Sequence, residues 1–180
     1  MSLYGQFLRL VQSFSCLGAW QKRALALWCC GVVLAEGCQG SAVADALVSV
    51  YPASVAALSK RLARFLSNPR ISDELLSQAW VQWVAHRYAR SHWVILVDET
   101  KLSDHLSVMM VGLAYRGRAI PLLWRCYRPT AYPAEGQVVL IVELLTRLRL
   151  LVPAEITLTV QADRGIGTSP DLIRDLQRLK

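Results

Sequence analysis

Two aspartates stand where apolar segments end. Asp98 closes the apolar part of "WVILVDET", and Asp163 closes "ITLTVQAD" just before an Arg-Gly turn. Acidic residues are poor company for a buried strand. Taken singly, Asp98 reads as a turn residue at a strand end, and Asp163 as an Asx-type turn into a helix. As a pair they could do more. Carboxylates a few ångströms apart repel each other unless a cation lies between them. Oxygen ligands so placed suit Mg²⁺ or Mn²⁺, which take one or two carboxylates plus water and phosphate oxygens. Ions held in this way can activate a water or a 3′-hydroxyl and stabilise the leaving oxygen in phosphodiester chemistry.

Whether the two side chains meet depends on the elements that carry them. From Trp93 onward the apolar pattern is that of strands: "WVILVDET" ending in Asp98, then "HLSVMMVGLAY", then "AIPLLWRCYR". Gly117 lies in the turn "RGR" between the second and third runs, which reads as a tight hairpin. A short polar loop, Glu99 to Asp104, joins the first two, so the three form an antiparallel meander. Val138, Ile141, Leu145 and Leu148 then have helical spacing over 135–150, stopped by Pro153. A fourth strand ends in Asp163, and a last helix starts with Thr168 or Ser169 as cap, Pro170 first and Asp171 in its first turn. A strand–helix–strand crossover is right-handed and makes its strands parallel. The meander leaves only the first strand with an open neighbour. The predicted fold class is therefore α/β, with a mixed sheet over 93–163 in the order 3-2-1-4 and the first and fourth strands parallel. Parallel strands run about 4.8 Å apart, so Asp98 and Asp163 fall at matching ends of adjacent strands.

The front half reads as helices. Trp20, Ala24, Leu27, Gly31 and Leu34 fall on one stripe. Ser41 is placed to cap a short helix with Val43, Ala46, Leu47 and Val50. The next segment buries Leu58, Leu62 and Phe65 and carries Lys60, Arg61 and Arg64 on an exposed side. Three short helices in tandem, the third basic, outline a helix-turn-helix-like DNA-binding module. The plainer alternative is a small bundle with solvated cations. A fourth helix starts at Ser72 with Asp73 and Glu74 in its first turn, carries Leu76, Trp80, Trp83 and Val84, and runs to about Arg90. These readings divide the chain into a helical, DNA-binding region at 1–92 and a sheet-containing region at 93–180.

Charge supports a polyanionic partner. The net charge is +7, and residues 1–92 hold nine Lys/Arg against four Asp/Glu, while 93–180 hold eleven against nine. Sixteen of the twenty basic residues are arginine, which pairs bidentately with phosphate. The composition is 54% hydrophobic, yet the uncharged run Ala24 to Ala35 is well short of the ~20 residues a spanning helix needs. That run reads as a buried helix, and no membrane partner is expected. The five cysteines form no C-x-x-C pair and read as reduced thiols of a cytosolic protein. The three histidines are scattered, and neither G-x-x-x-x-G-K-[ST] nor G-x-G-x-x-G occurs.

Three stretches, "HWVILVDETKL", "VMMVGLAYRGRAIPLLWRCYRP" and "VQADRGIGTSPDLIRDL", together resemble the catalytic domain of DDE transposases encoded by bacterial insertion sequences. The resemblance covers roughly residues 60–180, with "YRGRAIPLLW" and "ADRG" as its most specific parts. It implies an RNase H-like fold in which Asp98 and Asp163 are the first two catalytic, metal-binding carboxylates, with Mg²⁺ or Mn²⁺ as cofactor. The implied activity is metal-dependent cleavage at element ends and transfer of the 3′-hydroxyl to target DNA. The implied setting is a bacterial cytoplasmic, nucleoid-associated protein, with a possible homodimer on DNA. One departure stands out. The family's third carboxylate, a glutamate on a later helix, has no match in this chain. Glu135 and Glu143 precede the second aspartate, and Glu99 points to the other face of its strand. The resemblance thus implies the front part of a transposase, inactive alone; the alternative is a catalytically dead DNA-binding remnant or regulator of transposition.

Overall fold

The computed structural model describes residues 1–131, 136–167 and 169–178. They form two compact units, Met1–Ala79 and Trp80–Lys180.

The first unit is helical: α1 (Leu3–Gln12), α2 (Ala19–Leu34), α3 (Gly40–Leu47), α4 (Val55–Leu66) and the start of α5 (Asp73–Arg87). The sequence reading assigned no element to α1. Ser2 caps it by accepting from the Gly5 N–H at 3.2 Å, and Leu3, Tyr4 and Phe7 pack against the core. That core is Leu27, Cys30, Val43, Ala44, Leu47, Leu58 and Leu62. Ser54 caps α4 through the Ala57 N–H, as Ser72 caps α5 through that of Leu75. Gly31 is where α2 and α3 touch. A Cβ there would lie 2.6 Å from Val43 Cγ1, so only glycine allows the approach.

The expected stripe on α2 holds only in its middle. Ala24, Leu27 and Gly31 are buried, but Trp20 is 72% and Leu34 39% exposed. A 3.6-residue period drifts around a long helix, and its neighbours cover only the central turns. The helix α3 begins at Gly40 with Gln39 in the cap position, so Ser41 lies inside its first turn. It ends at Leu47, which leaves Val50 outside the helix and exposed.

The second unit is a four-stranded sheet of β1 (His92–Ser103), β2 (Leu106–Tyr115), β3 (Arg118–Tyr127) and β4 (Thr157–Ala162). Its order is β3-β2-β1-β4, with β1 antiparallel to β2 and parallel to β4, as the crossover argument requires. The helix α6 (Gly136–Leu151) makes the crossover and packs Leu140, Ile141, Leu144, Leu145 and Leu148 into a core with Trp93, Ile95, Val97, Val111 and Leu113. Val81 and Val84 of α5 belong to the same core, and the Trp80 indole donates to the Pro121 carbonyl at 2.7 Å. That packing is why the division between units falls at 79/80 instead of 92/93. After β4 come the single turn α7 (Arg164–Gly167) and α8 (Pro170–Arg178). Ser169 caps α8 by accepting from the Leu172 N–H; the other expected cap, Thr168, lies outside the described residues.

The hairpin between β2 and β3 is a two-residue turn. Arg116 (φ 49°) and Gly117 (φ 76°) are both left-handed, as a type I′ turn demands. The other connection differs from expectation. Glu99 to Asp104 was read as a loop, whereas β1 continues to Ser103 and pairs with β2 as far as Lys101↔Ser107 and Ser103↔Leu106. Pairing with β2 outweighs the low strand propensity of the charged residues in this segment.

Candidate functional site

The β1–β4 ladder runs from His92↔Thr157 to Val97↔Ala162. The next step in that register sets Asp98 beside Asp163. Alternation along β1 sends Trp93, Ile95 and Val97 into the α6-facing core and turns Val94, Leu96 and Asp98 to the other face. Both aspartates are exposed, Asp98 on that second face and Asp163 just past the end of β4. Asp98 is not a strand end, because β1 continues beyond it; it marks the place where β4 stops pairing. The turn out of β4 is what frees Asp163 from the ladder.

Each carboxylate has one local partner among the described residues. Thr100 Oγ1 donates to Asp98 Oδ2 at 2.8 Å, and the Ile166 N–H donates to Asp163 Oδ1 at 2.9 Å. Asp163 is therefore also the cap of α7, whose Gly167 N–H reaches its carbonyl at 2.7 Å. The capping bond leaves lone pairs free for a cation, since a carboxylate has more of them than one bond consumes. Two hard oxygen donors on one exposed face fit a single hydrated Mg²⁺ or Mn²⁺, which keeps several waters. Among the described residues no group of three or more His, Cys, Asp and Glu is placed to hold a metal ion.

The remaining glutamates are elsewhere. Glu99 faces α6, where it accepts from the Tyr127 hydroxyl and from Gln137 Nε2, the latter at 2.6 Å. Glu143 lies on α6 itself, 3.8 Å from Arg125. Both belong to the face opposite Asp98. Glu135 lies outside the described residues.

The position of Asp163 depends on how α6 ends. The Arg149 guanidinium donates to the carbonyls of Ile156 (2.7 Å), Val152 (3.0 Å) and Pro153 (2.5 Å), gathering the turn into β4. The Thr157 N–H then bonds the Ser91 carbonyl at 2.8 Å and starts the ladder in register. Sequence reasoning passed over Arg149; a basic residue in the last turn of a helix before a proline was the available signal.

In the helical unit, the three cations expected on an exposed face divide. Lys60 and Arg64 are exposed, one turn apart on α4. Arg61 is half-buried: it donates to the Tyr51 hydroxyl at 3.0 Å and lies over the Tyr51 ring at 5.6 Å. Its position on the helix turns it toward the core, where a guanidinium stacks on an aromatic face instead of meeting solvent. Lys60 and Arg64 line a groove of about 560 Å³ between α2 and α4 with Trp20 and Arg23. Both α2 residues were missed as site residues, Trp20 because the helical stripe assigned it to the core.

Among the described residues no helix is long and apolar enough to cross a membrane. No protein-family model and no curated protein matches the chain.

Proposed function

We propose that this chain acts on DNA in the manner of a DDE transposase, as its sequence motifs imply. In this reading the sheet belongs to an RNase H-like catalytic domain, and the helical unit binds DNA. The observation that supports it is the parallel β1–β4 register, whose last pair, Val97↔Ala162, immediately precedes the two exposed aspartates. Those two carboxylates hold the divalent ion, and Thr100 and the α7 backbone fix their orientation. When bound, the ion supplies electrostatic stabilisation of the oxygens between which the phosphorus passes. Lys60 and Arg64 hold the phosphate backbone.

A two-ion displacement needs a further carboxylate, and two alone hold one hydrated ion. Lacking one stabiliser of transition-state charge typically lowers a rate about a hundredfold to a thousandfold. The expected result for the 180-residue chain is weak Mn²⁺ binding, abolished by Asp98→Asn or Asp163→Asn, with no cleavage of DNA. Mn²⁺ titration followed by electron paramagnetic resonance, beside a nicking assay, tests this. Binding unchanged in both variants removes the metal site. Robust cleavage lost in either variant shows instead that two carboxylates suffice. The second reading, a DNA-binding protein without catalysis, is favoured by the absence of a third carboxylate from the pair's face among the described residues. It predicts DNA binding with no Asp98-dependent Mn²⁺ affinity.

A further inference from the structure

The groove between α2 and α4 has a composition that phosphate binding alone does not explain. Trp20 is 72% exposed at its mouth, the most exposed tryptophan of the large apolar side chains left in solvent. Arg23, one turn along α2, places its guanidinium 5.3 Å from the centroid of the Trp20 ring. That covers one face of the indole and leaves the other available. Lys60 and Arg64 approach from α4, and no acidic residue lines the groove. Phe65 and Ala24 form an apolar floor, and the amides of Gln21 and Asn68 stand at its sides.

We propose that this groove binds unpaired nucleotides of single-stranded DNA, with one base stacked on Trp20 and its flanking phosphates on Lys60 and Arg64. The proposal rests on the DNA-binding reading and refines it. In a duplex the π-faces of the bases are occupied by their neighbours, so an exposed indole has nothing to stack on. An unpaired base offers that face, and base–aromatic stacking tolerates any sequence. The arginine on the far side of the ring adds a cation–π contact to the same stack. A groove of about 560 Å³ has room for a nucleoside. Charge selects the ligand class: three exposed cations and no carboxylate in the groove attract a polyanion and repel a cationic ligand.

The test separates stacking from charge. Fluorescence anisotropy of a labelled twelve-nucleotide oligo-dT and of a duplex of equal length is measured with the full chain across a salt series. Trp20→Ala should weaken single-strand binding roughly 5- to 150-fold at every salt concentration, the range expected for one lost base stack. It should leave the salt slope and the duplex affinity unchanged, and Trp20→Phe should recover most of the loss. Lys60→Ala with Arg64→Ala should instead flatten the single-strand slope by about 1.4, at ~0.7 per phosphate contact. Because Trp20 is exposed, helicity by circular dichroism should match the parent in both Trp20 variants. If Trp20→Ala binds oligo-dT as the parent does, the inference is overturned. Equal losses on duplex and single strand overturn it too. Duplex binding that depends on Lys60 and Arg64, together with oligo-dT binding indifferent to Trp20, sinks the inference and leaves the DNA reading standing. No binding to either form removes both.

Discussion

Replacing Gly31 with alanine tests the closest approach in the helical unit. The added Cβ would stand 2.6 Å from Val43 Cγ1, 3.0 Å from Leu47 Cγ and 3.0 Å from the Val43 carbonyl oxygen. Carbon atoms rest at ~3.5–4.0 Å, so the first contact must open by about 1 Å. Val43 cannot simply rotate away, because its own backbone oxygen is also too close. Overpacking of this kind costs about 1–3 kcal/mol, and backbone involvement puts it near the upper end. Alanine in a helix interior recovers about 1 kcal/mol over glycine. The net expectation is a loss of about 1–2 kcal/mol. Urea unfolding followed by helical circular dichroism should show a midpoint lower by roughly 0.5–1 M at an unchanged slope, taking a slope of about 2 kcal/mol/M. A second variant identifies the cause. Val43→Ala alone removes two buried methyl groups, yet combined with Gly31→Ala it should be less harmful than the sum, by about 1 kcal/mol. Recovery is partial, since Leu47 and the carbonyl remain. If Gly31→Ala is as stable as the parent, or the two changes simply add, the close helix contact is not what glycine provides there.

In the β2–β3 hairpin, Gly117→Ala should cost about 1–2 kcal/mol for a left-handed residue with a Cβ, whereas Arg116→Asn should stabilise slightly; thermal melts of both decide it. Arg149→Ala, which strips three carbonyls of their donor at the end of α6, should lower stability by about 2 kcal/mol in urea titration, and Arg149→Lys should restore only part, since an ammonium lacks the guanidinium fork. Burial raises the Cys29 and Cys30 thiols above their usual range, so iodoacetamide at neutral pH should label exposed Cys38 and Cys126 and spare that pair, as read by peptide mass spectrometry. The same shift makes stability pH-dependent: below about pH 8.5 both states keep these protons, above it the unfolded chain releases them while the folded chain does not, so stability falls as pH rises. Urea midpoints that do not drop between pH 7 and 9.5 would count against that linkage.

Local patterns carried much of this structure. The apolar runs around Trp93–Val97 and Leu158–Val160, the "YRGR" turn and the helical spacing of Val138 to Leu148 were enough to place four strands and a crossover in order, because period and turn chemistry are short-range properties. Parallel pairing of β1 with β4 followed from handedness, which is a property of any L-polypeptide. The capping serines 72 and 169 were legible for the same reason: a cap acts within three residues of itself.

Tertiary structure decided the rest. Sequence periodicity assigned Trp20 to the core, but burial depends on which neighbours reach a helix end, and Trp20 stays mostly exposed with Arg23 over one face. It also set Lys60, Arg61 and Arg64 side by side, while only the packed position of Tyr51 shows that Arg61 is held. Pairing with β2 carried β1 five residues past Asp98, where composition alone read a loop. The packing of Val81 and Val84 into the sheet's core drew the boundary between units inside α5. The sequence by itself determined which residues could hold a divalent ion and that their strands run together. Only the fold decided that β1 and β4 pair in a register running from His92↔Thr157 to Val97↔Ala162, and that Glu99 is tied to Gln137 on α6 and Glu143 set near Arg125, because register is set by contacts between residues far apart in the chain.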